Sequence, residues 1–297
     1  MADIQLRFNK DVLTLSTTLR SFFAEHDFDI ASELDYVVLC EPELLEEEYR
    51  LESVIHTPVF VAPTNAITAT RLAHERFEGR AVDLAGAAYA QAAAFKPQHI
   101  IAAVSPTELP LDESSQVSLK QNKTQYQTAV EALALQPYDG LYFTNFSNGY
   151  DAQCALMGAR AVYDGPLFIS FDVTAQGFLL SGSHALSDAV ALADEYGADV
   201  IGISSGERLE VLLELVALVR NATDKPLLVE VQTGLHERNL LSLPEDNPYY
   251  APETLVDVAL SLQQAGVQFM RAGGYAVPAY TAVLNATVDG LDVISDQ

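Results

Sequence analysis

DVIGISSGERLEVLLELVALVRNATDKPLLVEV, residues 199–231, sets two short apolar runs, DVIGIS and PLLVEV, on either side of the Leu- and Val-rich segment RLEVLLELVALVRNA. The runs have the length of strands, and the segment between them has the apolar spacing of an amphipathic helix. Strand, helix, strand in that order argues for a parallel sheet.

The same alternation extends in both directions. VLTL at Val12, PVFVA at Pro58, HIIAAV at His99, GLYFTN at Gly140, PLFISFD at Pro166 and VQFM at Val267 bring the strands to eight, with helical segments such as TRLAHERFEGRAVDLAGAAYAQAAAF and HALSDAVALADEYG between them. Eight strands interleaved with helices predict an α/β chain folded as a (β/α)8 TIM barrel. An open doubly wound sheet usually has fewer strands and a glycine-rich turn after the first. Here VLTL is followed by STTLRSF. A barrel of roughly 250 residues plus extensions fits one domain over residues 1–297. YVVLC at Tyr36 is a ninth apolar run. It is placed in the long connection from strand 1, ahead of a helix opening at Glu41-Pro42, where proline suits a first turn. Whether Tyr36–Cys40 adds a strand is left open. The acidic run from Glu46 to Glu48 is read as a solvated helix face.

Composition narrows the partners. Of 297 residues 49% are hydrophobic, and 16 Lys and Arg stand against 41 Asp and Glu, a formal charge of −25 that repels nucleic acid and anionic membranes. The opening MADIQLRFNK lacks the apolar core of a signal peptide, and no stretch approaches the roughly 20 apolar residues of a membrane span. A cytoplasmic protein is expected, with a small-molecule ligand as partner and a homo-oligomer left open. Cys40 and Cys154 are too few for a disulfide framework, stand in no metal-ligand spacing, and are read as reduced, mostly buried thiols.

TNAITATRL from Thr64, SPTELPL from Ser105, SFDVTAQGFLLSG from Ser170, GADVIGISS from Gly197 and LLVEVQTGLH from Leu227 occur in this order. Each resembles a segment of the homocysteine S-methyltransferase family, over about residues 12 to 285. The resemblance implies the same eight-stranded barrel. It also implies a zinc site built from one cysteine after strand 6, in GINC, and two after strand 8, in GGCC, with an open position for the substrate thiol. In this chain the GINC cysteine falls on Ser205 and its asparagine on Ser204. The paired cysteines fall on Gly273 and Gly274, with Pro278 matching the family's proline. Serine is a poor zinc donor and glycine supplies none, so no metal and no cofactor are expected. Other positions differ too. The family's acidic pair after strand 1 falls on Ser16 and Thr17, its FET glutamate on Thr144 and its PNAG asparagine on Gln232.

In a barrel of this kind the site forms where the strands end. The candidate ligand-binding residues are Asn65, Arg71, Asp172, Ser204, Ser205, Glu230, Gln232, Arg271, Gly273 and Gly274, with Asn145 on the same rim. Asp172 and Glu230 could serve as acid and base, hold a hard cation, pair with Arg271 or Arg71, or simply be hydrated. Asn65 and Arg71 either contact a ligand or shape the loop after strand 2. His184 is either a general base or a satisfied surface group. Arg271 with Gly273 and Gly274 either receives an anion, the glycines offering free N–H groups, or Arg271 neutralises a rim carboxylate and the glycines only turn the chain. No residue is assigned a catalytic role. The expected function is a zinc-free relative of the family that binds a small polar or anionic metabolite at the rim. The alternatives are an S-methyltransferase with a metal-free or altered-metal mechanism, and a non-catalytic structural or regulatory protein.

Overall fold

The computed structural model describes residues 3–74, 76–182, 184–234 and 247–294. Leu235 and His236, the end of the LLVEVQTGLH segment, lie outside the described residues. The strands are β1 (Leu13–Leu15), β2 (Val59–Ala62), β3 (His99–Val104), β4 (Gly140–Phe146), β5 (Leu167–Asp172), β6 (Val200–Ser205), β7 (Leu227–Thr233) and β8 (Val267–Gly274). They form a closed barrel in sequence order, each parallel to its neighbours, with β8 returning to β1. The helices are α1 (Arg20–Glu25), α2 (Ile30–Cys40), α3 (Pro42–Val54), α4 (Ala69–His74), α5 (Ala81–Ala93), α6 (Gln116–Leu133), α7 (Gly149–Arg160), α8 (Leu186–Glu195), α9 (Leu209–Ala222), α10 (Leu255–Gln264) and α11 (Pro278–Val288). Eight parallel strands alternating with helices make the chain a (β/α)8 TIM barrel.

Strand alternation splits the apolar residues into two cores. Leu13, Leu15, Val59, Val61, Ile101, Phe168, Val200, Leu228 and Phe269 fill the inside of the barrel, while the intervening strand residues pack against the helices. The base is closed by Ile4 and by Phe8, whose ring meets Phe168 and Phe269 edge-on at 6.1 and 6.0 Å. One inward position has no room for any side chain. A Cβ on Gly202 would lie 2.3 Å from the Leu228 carbonyl oxygen and 2.8 Å from Leu228 Cβ. Gly202→Ala is therefore expected to cost about 2–3 kcal/mol, because backbone must move to admit it. An unchanged urea midpoint would show that β6 and β7 have slack there.

Several local expectations are refined. YVVLC is the second half of α2 and no strand. Asp29 caps the helix by accepting from Ala31 N at 3.0 Å, and Leu34, Val37 and Val38 share its buried face at helical spacing. Cys40, on the outer side of the last turn, is exposed, so only Cys154 is a buried thiol. The long Ala-rich segment after β2 is two helices, α4 and α5, separated by a turn with positive φ at Arg76 and Gly79. In α3 only part of the acidic run is solvated. Glu46 and Glu47 are exposed, but Glu48 shares the buried face of Leu45, Tyr49 and Glu52. Offsets of three, four and seven residues put these four side chains on one stripe, and the stripe outweighs the charge. Among the described residues no helix is long and apolar enough to cross a membrane.

Candidate functional site

Strand alternation also carries polar chemistry into the barrel mouth. Phe168, Val200, Leu228 and Phe269 point inward, so Ser170 and Asp172, Ser204, Glu230 and Gln232, and Arg271 and Gly273 follow on the same face two or four residues later. Register places Ser204 beside Glu230 and Glu230 beside Arg271. The result is a continuous hydrogen-bonded floor. Arg271 Nη1 donates to Glu230 Oε2 at 3.2 Å, and Gln232 Nε2 donates to Glu230 Oε1 and to Ser204 Oγ, both at 2.7 Å. Asn145 Nδ2 donates to Ser204 Oγ at 3.0 Å and to Asp172 Oδ1 at 2.9 Å. Below them Tyr142 donates to Ser170 Oγ at 2.9 Å and reaches Glu230 Oε2 at 3.3 Å.

Two backbone features aim this floor. The pairing of β4 with β5 shifts register between Phe143 and Phe146, and Asn145 there has φ 60°, a left-handed conformation that asparagine tolerates better than most residues. The shift presents Asn145 between Asp172 and Ser204. At the end of β8, Gly274 has φ 63°, and a Cβ on it would lie 2.5 Å from the Thr233 carbonyl oxygen, so glycine is required.

Burial pushes the Asp172 carboxyl above its ordinary pKa, against hydrogen bonds with Asn145 and Ser204 that pull it down. Burial, and then the Glu230 charge, push the Tyr142 phenol well up, so it stays a hydrogen-bond donor. Behind Arg271 a second acidic group is hidden. Glu52 Oε1 accepts from Thr17 N at 2.9 Å and from Thr17 Oγ1 at 3.0 Å, and Glu48 Oε1 lies 3.1 Å from the same hydroxyl. Burial and the neighbouring Glu52 raise the Glu48 carboxyl to about 8, and burial also raises Glu52.

Above the floor opens a cleft of about 580 Å³ whose wall includes Arg20, Ile30, Leu34, Val61 and Leu180. Nine of the ten candidate ligand-binding residues line it: Asn65, Arg71, Asp172, Ser204, Ser205, Glu230, Gln232, Arg271 and Gly274. Gly273 does not, because it lies behind Glu230 and Gln232. Of the readings of the rim carboxylates, pairing holds for Glu230, which meets Arg271 at side-chain exposures of 1% and 7%, while Asp172 accepts from Asn145. Arg71 pairs with Glu108. Arg271 also spends Nε on the Ser16 carbonyl and Nη2 on the Thr17 carbonyl. Gly273 and Gly274 are in register with Gln232 and Thr233 inside the sheet, not in an open loop. His184 packs edge-on against Tyr150, with ring centroids 4.8 Å apart, and does not line the cleft.

Sequence reasoning missed Arg20, Ser105 and Tyr142. Ser105 accepts from Asn65 Nδ2 at 3.0 Å. Only Tyr142 left a usable signal, as a polar group two residues before Thr144 on the inward face of β4.

The zinc positions implied by the family resemblance do not fit a metal. Ser205 Oγ accepts the Glu207 N–H at 3.2 Å, capping the turn after β6. A Cβ on Gly273 would lie 2.5 Å from Glu230 Oε1 and 2.9 Å from Gln232 Nε2. The space next to Gly273 is thus already filled by the polar floor. Among the described residues no group of three or more His, Cys, Asp or Glu side chains is placed to hold a metal ion.

Fold and site together define a (β/α)8 barrel with a polar cleft at the carboxyl ends of its strands. Residues 52–274 match the family model described as homocysteine S-methyltransferase, and the chain belongs to that family. No curated protein matches it in sequence. Among solved structures it is similar to the homocysteine methyltransferase MmuM from Escherichia coli. The oxidized form matches with TM-score 0.77 and the metallated form with 0.75, both at 18% identity over 93% of this chain and 96% of that one. The carboxyl transferase domain of Rhizobium etli pyruvate carboxylase with pyruvate matches at TM-score 0.54 and 12% identity, over 97% of this chain and 46% of that one. At these identities the likeness speaks for the fold.

Proposed function

We propose that this chain is a divergent member of its family that binds a small polar or anionic metabolite in the rim cleft and does not use three-cysteine zinc chemistry. One observation carries the reading: the atoms beside Gly273 are those of Glu230 and Gln232, tied to Ser204 and Arg271, so side-chain hydrogen bonding occupies the space of a thiolate. Pockets that bind small ligands are concave, with apolar walls and a few convergent polar groups. The cleft has that composition, and its volume of about 580 Å³ favours a ligand-binding role over a structural one. Two free cysteines accord with a cytoplasmic setting.

The test is methyl transfer. Homocysteine offered with S-methylmethionine, betaine or methylfolate should yield no methionine above the rate without protein. Turnover that Ser205→Ala removes would overturn the reading and give that serine a direct part in an altered mechanism.

A further inference from the structure

Arg271 is poorly suited to receive a ligand anion, because Glu230 offsets its charge and the Ser16 and Thr17 carbonyls hold its Nε and Nη2. A second guanidinium in the same cleft is differently placed. Arg71, on α4, lines the cleft with its side chain 13% exposed. Its Nη1 is held by Glu108 Oε1 at 2.7 Å, on a carboxylate that is 55% exposed. Its Nε is buried with no hydrogen-bonding partner. A buried donor left unmatched is costly, and the guanidinium that carries this one belongs to a residue of the cleft wall. Guanidinium offers its donors as a rigid fork, so an oxyanion meeting the Nε side can be held in two-point fashion while Nη1 stays on Glu108. Arg20, stacked over Tyr275 at 5.0 Å, adds a third guanidinium to the cleft. Across the barrel, three strands on from β2, Asp172 stands at the end of β5.

We propose that Arg71, not Arg271, is the anion-receiving residue of the cleft, and that its ligand is a small hydroxy or amino acid or phosphate ester. The ligand gives an oxyanion to the Nε side of Arg71 and a hydroxyl or ammonium group to Asp172. The apolar wall of Ile30, Leu34, Val61 and Leu180 takes the carbon chain between them. The inference rests on the reading of the cleft as a metabolite site.

Calorimetry on the full chain, at ionic strength matched with sodium chloride, compares 3-hydroxybutyrate, glycerol 3-phosphate and the neutral 1,3-butanediol. One or both anions should bind, and which one does identifies carboxylate or phosphate as the partner. Arg71→Gln should weaken that binding by about tenfold or more, as expected for loss of a charge-assisted pair. Arg71→Lys, which keeps the charge without the fork, should recover only part of it. Glu108→Gln should tighten binding, because the carboxylate charge that offsets the guanidinium is removed while the amide oxygen can still accept from Nη1. An Arg71–Glu108 strap with a purely structural role would make the Gln variants at 71 and 108 act alike, and that result overturns the proposal. Binding that Arg71→Gln leaves unchanged, or binding of the diol alone, also overturns it while leaving the cleft a metabolite site. No binding by any probe overturns both.

Discussion

Arg271→Ala should lower unfolding stability by about 3–5 kcal/mol, the usual cost of removing one partner from a buried ion pair. Glu230 is 1% exposed and would be left facing Tyr142 and Gln232 with no cation. The substitution also frees the carbonyls of Ser16 and Thr17, which Arg271 holds at 2.9 and 3.2 Å, and so loosens the seam where β8 closes on β1. In thermal melts the loss corresponds to a fall on the order of 10 °C for a chain of this size. Combining Arg271→Met with Glu230→Gln removes both charges, and this double variant should recover most of the loss. If the alanine chain does not fold, the double variant still carries the comparison. An Arg271→Ala chain within about 1 kcal/mol of the parent would mean that the pair contributes no more than a surface one.

The second large effect depends on pH. Burial and Glu52 raise the Glu48 carboxyl from 4.5 to about 8 in the folded chain. Between those values the folded chain holds a proton that the unfolded chain has released. The contribution is therefore fully present below about pH 4.5 and is lost as pH rises through 8. At ~1.36 kcal/mol per unit, the swing is about 3–5 kcal/mol. Burial is its main source; of the neighbouring groups, Glu52, Glu25 and Glu47 favour the proton and Thr17 opposes it. Glu48→Gln keeps a neutral side chain of the same shape. It should match the parent near pH 5 and exceed it in stability near pH 9, as read from urea midpoints. Parallel stability curves for the two chains from pH 5 to 9 would show that Glu48 is ionised throughout.

The fold was legible because β-strand runs and helical spacing alternate along the chain, as between DVIGIS and PLLVEV. The rim was legible for a related reason. Once Leu228 and Phe269 are inside the barrel, a period of two places Glu230, Gln232 and Arg271 above them. Pairing of Arg271 with a rim carboxylate was among the readings, but the choice between Glu230 and Asp172 was not legible. It depends on the register between β7 and β8, and that Arg71 would meet Glu108 depends on a loop. Glu48 was misread because its run of three acids outweighed the stripe through Leu45, Tyr49 and Glu52. Gly273 invited the opposite error. Glycine in a sequence suggests empty space, whereas here the space is taken by side chains from the adjacent strand.

If polar side chains fill the place of a thiolate metal centre in this member of the family, the zinc content of the purified protein will show it. Protein produced with zinc in the medium and dialysed against a mild chelator should retain far less than one zinc per chain, because Ser205, Gly273 and Gly274 offer no thiolate and Glu230 is committed to Arg271. One zinc per chain surviving that dialysis would mean that the polar floor does not replace a metal centre, and would point to His and carboxylate ligands in another arrangement.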